Sequence, residues 1–159
     1  MTESFTHLNA RGKAHMVDVT AKAITQRSAT ARCRVSMAPE TVARLSAGDM
    51  PKGDALGVAR IAAIQATKRT PDLIPLCHPI AIHGVEVDIT VVEQTGVEIV
   101  VTVRTADRTG IEMEALTAAA VGGLAMIDMV KGIDRYAHIA HVVLLEKTGG
   151  RSGTWRREE

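Results

Sequence analysis

Aromatic side chains are almost missing from this sequence: Phe5, Tyr136 and Trp155 make up 2% of 159 residues, and two of the three lie near the termini. Readers of RNA or single-stranded nucleic acid need exposed rings on which bases stack, and this chain has almost none to offer. Excess charge of either sign is missing too. Nineteen Lys and Arg stand against eighteen Asp and Glu, a formal charge of +1, so no long-range field draws the chain to a nucleic-acid backbone. There are two cysteines, Cys33 and Cys77, with no CxxC-type spacing between them. No uninterrupted apolar run approaches the roughly 20 residues that span a bilayer, and no apolar signal segment opens the sequence. The expectation is a cytoplasmic protein with reduced thiols. Walker and dinucleotide glycine motifs are also lacking, because Gly149-Gly150-Arg151-Ser152-Gly153 follows a strand pattern with no helix after it.

What is there suits one globular domain: 46% hydrophobic and 23% charged residues in a chain long enough for a single core. That core must be built from Ala, Val, Ile, Leu and Met, which pack closely but bury little area each. A monomer of this kind is marginal, so subunit contacts are expected to contribute stability. Residues 1–14 are polar and read as an N-terminal arm. Ala31, Cys33, Val35 and Met37 alternate with polar residues as a half-buried strand. Pro39 opens a short helix to Ser46, and a second helical run extends from about Asp54 to Lys68. Three prolines in Pro71–Pro79 argue against both helix and central strand. Val85–Val91 and Ile99–Val103 form a hairpin across Gln94-Thr95-Gly96. A long helix runs from Glu112 to about Ile133, and a last strand covers His138–Leu145. This order predicts an α+β, ferredoxin-like β-α-β-β-α-β fold: a four-stranded antiparallel sheet with helices on one face. The open face is expected to show valines to water, a second reason for oligomerisation. The division expected is an arm over 1–14, one catalytic domain over 15–147 and a glycine-rich tail over 148–159.

Fold alone does not assign function, so the polar residues carry the rest. Asp128 and Lys131 lie three apart on the long helix and project from one face. As a surface pair they contribute about 0.2–0.5 kcal/mol. Yet Met126, Ile127, Met129 and Val130 flank them, and a Lys desolvated among such residues can titrate near neutrality and donate a proton, with Asp128 as its partner. Glu112 and Glu114 stand in the first turn of the same helix, where carboxylates cap N–H groups. Alternate helical residues point about 200° apart, so both reach one ligand only where the backbone is not yet helical. Glu114 and Asp128 are 14 residues apart, about 21 Å along a straight helix. Serving one small substrate together requires a break at Gly122-Gly123 or completion of the site by another subunit, and the second is preferred. Cys77 and His78 sit in the proline-stiffened loop with His83 nearby; Cys-His-x4-His is no recognised zinc set, so no metal is assigned, and His78 is a candidate for hydrogen bonding a polar ligand. Lys52, Lys68, Arg69, Lys147 and Arg151 cluster at element ends beside Gly or Pro, either as solvated surface charges or as contacts for a phosphate-rich ligand.

The strings Lys52-Gly-Asp54, Lys68-Arg-Thr70, Asp72-Leu-Ile-Pro-Leu-Cys-His-Pro79, Val85-Glu-Val87, Thr109-Gly-Ile-Glu-Met-Glu-Ala115 and Asp128-Met-Val-Lys131 closely resemble the MoaC family, the cyclic pyranopterin monophosphate synthases of molybdenum-cofactor biosynthesis. So do His15-Met-Val-Asp-Val19 and Lys147-x-Gly-Gly-x-Ser-Gly153. The likeness runs from about Leu8 to Gly153, with small departures: Ile127 stands where the family often has Tyr, and Val130 where it often has Cys. The resemblance implies an enzyme that rearranges 3′,8-cyclo-7,8-dihydro-GTP to cyclic pyranopterin monophosphate with release of pyrophosphate. It implies no cofactor and a homo-hexamer, a trimer of dimers, with sites at subunit contacts. By position, Asp128 and Lys131 would be the acid–base pair; Leu76, Cys77, His78, Met113 and Glu114 would line the substrate, and Lys52 and Glu112 fall at matching positions. The rival readings are a non-catalytic nucleotide-binding regulatory module and an RNA-binding module of the same architecture.

Overall fold

The computed structural model describes residues 6–158; residues 1–5 of the expected arm and residue 159 of the expected tail lie outside it. The fold is α+β. Five strands, β1 (Thr25–Ser36), β2 (Gly84–Val92), β3 (Gly96–Asp107), β4 (His138–Thr148) and β5 (Trp155–Arg156), form one antiparallel sheet in the order β2-β3-β1-β4-β5. Among the described residues four helices accompany it: α1 (Pro39–Ser46), α2 (Ala55–Thr67), α3 (Thr70–Leu73) and α4 (Glu112–Val130). The sheet thus has five strands rather than the four expected. The additional one is a two-residue edge strand inside the glycine-rich tail, too short to leave any periodic signal. A short helix also starts within the proline-rich loop, because Pro71 stands in its first turn, where the missing N–H costs nothing.

Alternation sorts the sheet into two faces. Ala29, Ala31, Cys33 and Val35 of β1 pair with Val103, Val101, Ile99 and Val97 of β3, and all eight are buried against α2 and α4. Six valines of β2 and β3, Val85, Val87, Val91, Val97, Val101 and Val103, lie on this face. The opposite face is therefore not the valine surface expected. It carries hydroxyl pairs (Ser28 with Thr148, Thr30 with Thr102) and ion pairs (Arg104 with Glu86, Arg34 with Glu98), with Val92, Val100 and Val143 among them.

α4 is the core helix. By length and composition alone it could cross a membrane, but more than half of it is buried inside the domain. It runs unbroken through Gly122 and Gly123, so the glycine pair is not a hinge. A Cβ at Gly122 would lie 3.3 Å from Ala63 Cβ of α2, and one at Gly123 would lie 2.6 Å from Cys33 Sγ of β1. The pair lets α4 approach both neighbours closely. Burial pushes the Cys33 thiol up to about 11, which leaves it an inert core group. Past the end of α4, buried Asp134 accepts hydrogen bonds from Ala38 N at 2.8 Å and Thr41 Oγ1 at 3.1 Å, capping α1 from outside the helix.

Candidate active site

α4 carries candidate site residues at both ends. At its N-terminus Ile111 forms the cap, and Glu112 and Glu114 are both helical; contrary to the expectation that only non-helical backbone would bring them together, both line one cleft that wraps the end of the helix. The cleft has a volume of about 370 Å³ and takes in Leu76, Cys77 and His78 from the proline loop and Glu112, Met113 and Glu114 from the helix. Six of the residues proposed from sequence therefore meet in one place. The N-terminal segment closes the other side with His7, Val17, Val19 and Lys22, which sequence reasoning did not place at the site. The His78 ring Nε2 lies 2.6 Å from Val17 O; a carbonyl only accepts, so Nε2–H donates, and this bond fixes the ring relative to the segment.

Electrostatics differ sharply within this cleft. Glu114 is buried, with 2% of its surface exposed, and burial lifts its carboxyl to about 7 against the opposing pull of its backbone hydrogen bond; the charge of Glu112 adds to the rise. The Cys77 thiol is also pushed up, by burial first and by Glu114 second. Glu112 is ion-paired instead: Lys147 Nζ, at the end of β4, lies 3.0 Å from its Oε1. Gly110 makes room for this carboxylate, since a Cβ there would collide with Glu112 Oε2. Lys147 had been counted only among the scattered basic residues; its long-range partner leaves no mark in local sequence.

At the other end of α4, Asp128 holds two ammonium groups. Lys131 Nζ lies 2.7 Å from Asp128 Oδ1, and Lys52 Nζ reaches across from the α1–α2 loop to Oδ2 at 3.0 Å and to the Asp128 carbonyl at 2.9 Å. Lys131 and then Lys52 hold the Asp128 carboxyl below the usual carboxylate range. Lys52, expected near substrate, thus joins Asp128 and Lys131. The apolar flanks did not desolvate the pair as expected. Met126, Met129 and Val130 point into the core, and the helical turn places Asp128 and Lys131 on the opposite side, where the three charged side chains are 45–58% exposed. Among the described residues, no group of three His, Cys, Asp or Glu side chains is placed to hold a metal ion. His83 is engaged elsewhere, at hydrogen-bond distance from Thr105 of β3.

The two clusters lie on one rigid helix about 21 Å apart, so neither can serve the other within a single chain. This arrangement can be compared with known proteins. The family model described as "MoaC family" matches residues 16–150. This chain belongs to the MoaC family. Among its relatives, proteins named cyclic pyranopterin monophosphate synthase are 53% identical in Streptomyces coelicolor (98% of this chain, 91% of the relative), 56% in Thermomicrobium roseum (97% and 93%) and 54% in Geobacter metallireducens (98% of both). Both clusters of this MoaC-family chain fall inside the matched region, whereas His7 and strand β5 lie beyond its ends.

Proposed function

We propose that this chain is a cyclic pyranopterin monophosphate synthase: a lyase of molybdenum-cofactor biosynthesis that converts 3′,8-cyclo-7,8-dihydro-GTP to cyclic pyranopterin monophosphate and pyrophosphate. The observation that carries the reading is membership of the MoaC family over nearly the whole chain, with relatives of that name at 53–56% identity. The polar groups suit the reaction. Opening the guanine-derived ring needs a proton for a leaving nitrogen and a base for water; Asp128 and Lys131 take these roles, with Lys52 holding the carboxylate from its other side. Leu76, Cys77, His78, Met113, Glu112 and Glu114 line the substrate. Glu114 is poised near neutrality, so it can present a protonated carboxyl as a hydrogen-bond donor. Closing the cyclic phosphate needs a hydroxyl to attack phosphorus as pyrophosphate leaves, and nearby ammonium groups absorb the developing charge. No cofactor is needed for these steps.

The site is composite in this reading: the cleft of one subunit faces the Asp128 cluster of a second, in a hexamer built as a trimer of dimers. The unbroken α4 and the exposure of the three charges support it, since a neighbouring chain would exclude the water that a single chain admits. The four long strands with α2 and α4 are read as ferredoxin-like, supported by the neighbour order β2-β3-β1-β4, with residues 15–147 as the catalytic domain in a cytoplasmic protein. Incubation of the purified protein with the cyclised nucleotide tests the function. Stoichiometric pyrophosphate is the expected product. Tight binding without turnover would favour the regulatory-module alternative.

A further inference from the structure

Lys147 does not face the cleft by simple alternation. Leu144 pairs with Ala31 and Glu146 with Thr30, which leaves Leu145 as an extra residue without a partner on β1. In a regular strand Leu144 and Glu146 would share the helix-facing side and Lys147 would point away. The bulge reverses this, so that Lys147 pairs with Ala29 and reaches Glu112. β5 and the residue after it lie against the bulge. Arg157 N donates to Leu145 O at 2.8 Å, and Arg157 Nε donates to Leu144 O at 2.7 Å. The Arg157 guanidinium lies over the Trp155 ring, 5.9 Å from its centroid, and Trp155 is the direct cross-strand partner of Lys147. Indole and lysine stem therefore share a face, with Cβ atoms about 4.5–5.5 Å apart. On the opposite face Arg156 Nε pairs with Glu146 Oε2 at 2.7 Å.

We infer that β5 is a clasp: Trp155 and Arg157 are positioning residues that lock the Leu145 bulge and so aim Lys147 at Glu112 in the cleft. The clasp is a property of the fold; its effect on turnover rests on the synthase reading. Two measurements on the full-length protein test it. Lysine acetylation by limiting acetic anhydride, read by peptide mass spectrometry, needs no activity. Trp155→Ala and Arg157→Ala should raise the labelling rate of Lys147 several-fold relative to Lys13, and Trp155→Phe, which keeps a ring under Arg157, should leave it near the wild-type rate. Turnover gives the second readout. Trp155→Ala should lower kcat/KM for the cyclised nucleotide by about 10–100-fold, the range that a misplacement of about 1 Å produces. The Lys147→Ala/Trp155→Ala double variant should be no slower than Lys147→Ala alone, because both changes remove one interaction. Unchanged Lys147 labelling in both clasp variants, or losses that multiply in the double variant, would overturn the inference. Labelling that responds in a wild-type background that releases no pyrophosphate would uphold the clasp and discard the synthase reading instead.

Discussion

Glu114 and Asp128 are carboxyls on the same helix, and their surroundings drive them in opposite directions. Burial raises Glu114 to about 7, whereas two lysines hold Asp128 low. For Glu114 the native state binds its proton more tightly than the unfolded chain does, so native stability declines as pH rises from about 4.5 to about 7 and stays reduced above that. Glu114→Gln removes the penalty: the variant should match wild type in urea at pH 4.5 and exceed it by about 1–3 kcal/mol at pH 8. A variant less stable than wild type at pH 8 would contradict this. Lys131→Ala should lower the rate of pyrophosphate release by about 10²-fold or more while leaving the thermal midpoint within a few degrees, because an exposed pair of this kind stabilises little; wild-type turnover would remove Lys131 from the mechanism. The spacing of Asp128 and Lys131 was legible because three residues along a helix fix a common face. Lys52 was not assignable to them, nor Lys147 to Glu112, because contacts between distant parts of a chain carry no local period.

At the scale of elements, the legible parts were those with an alternating or helical apolar pattern. The first hairpin strand and α1 emerged close to their observed bounds, as did the start of α4 and the span of α2, whereas β3 runs from Gly96 to Asp107, well beyond the expected Ile99–Val103. β1 begins at Thr25, six residues before its first recognised apolar position, because Thr25–Thr30 is mostly polar and gains its strand character from pairing with β3 and β4 on both sides. β5 was invisible for a similar reason: two residues have no period, and the strand exists through its bonds to β4. The glycine pair was noticed only as a place where the helix could break. It is a contact, and Gly123→Ala, which places a methyl group against Cys33 Sγ and Ile139, should destabilise the protein by about 1–3 kcal/mol in chemical denaturation. A neutral or stabilising effect would mean that α4 and the sheet have room that the 2.6 Å approach denies.

For the whole molecule, the decisive feature is an unbroken helix that keeps the two candidate clusters apart. The sequence implied that distance by counting residues, but not which escape from it the protein takes, since a broken helix and a second subunit satisfy the same count. The observed continuity of α4 removes the first. The expectation of an oligomer driven by valines on the open sheet face is weakened, because most of the sheet's valines face the helices and the open face is largely hydroxyl and ion pairs. The case for association now rests on an incomplete site rather than on an apolar surface. Co-assembly of Glu114→Ala chains with Lys131→Ala chains, each inactive alone, measures this most directly. If each site takes its cleft from one subunit and its Asp128 cluster from another, random equimolar mixing in a symmetric assembly should restore about a quarter of wild-type pyrophosphate release. A mixture as inactive as its parents would show that each chain must supply both clusters to its own site, and the composite-site account would fail.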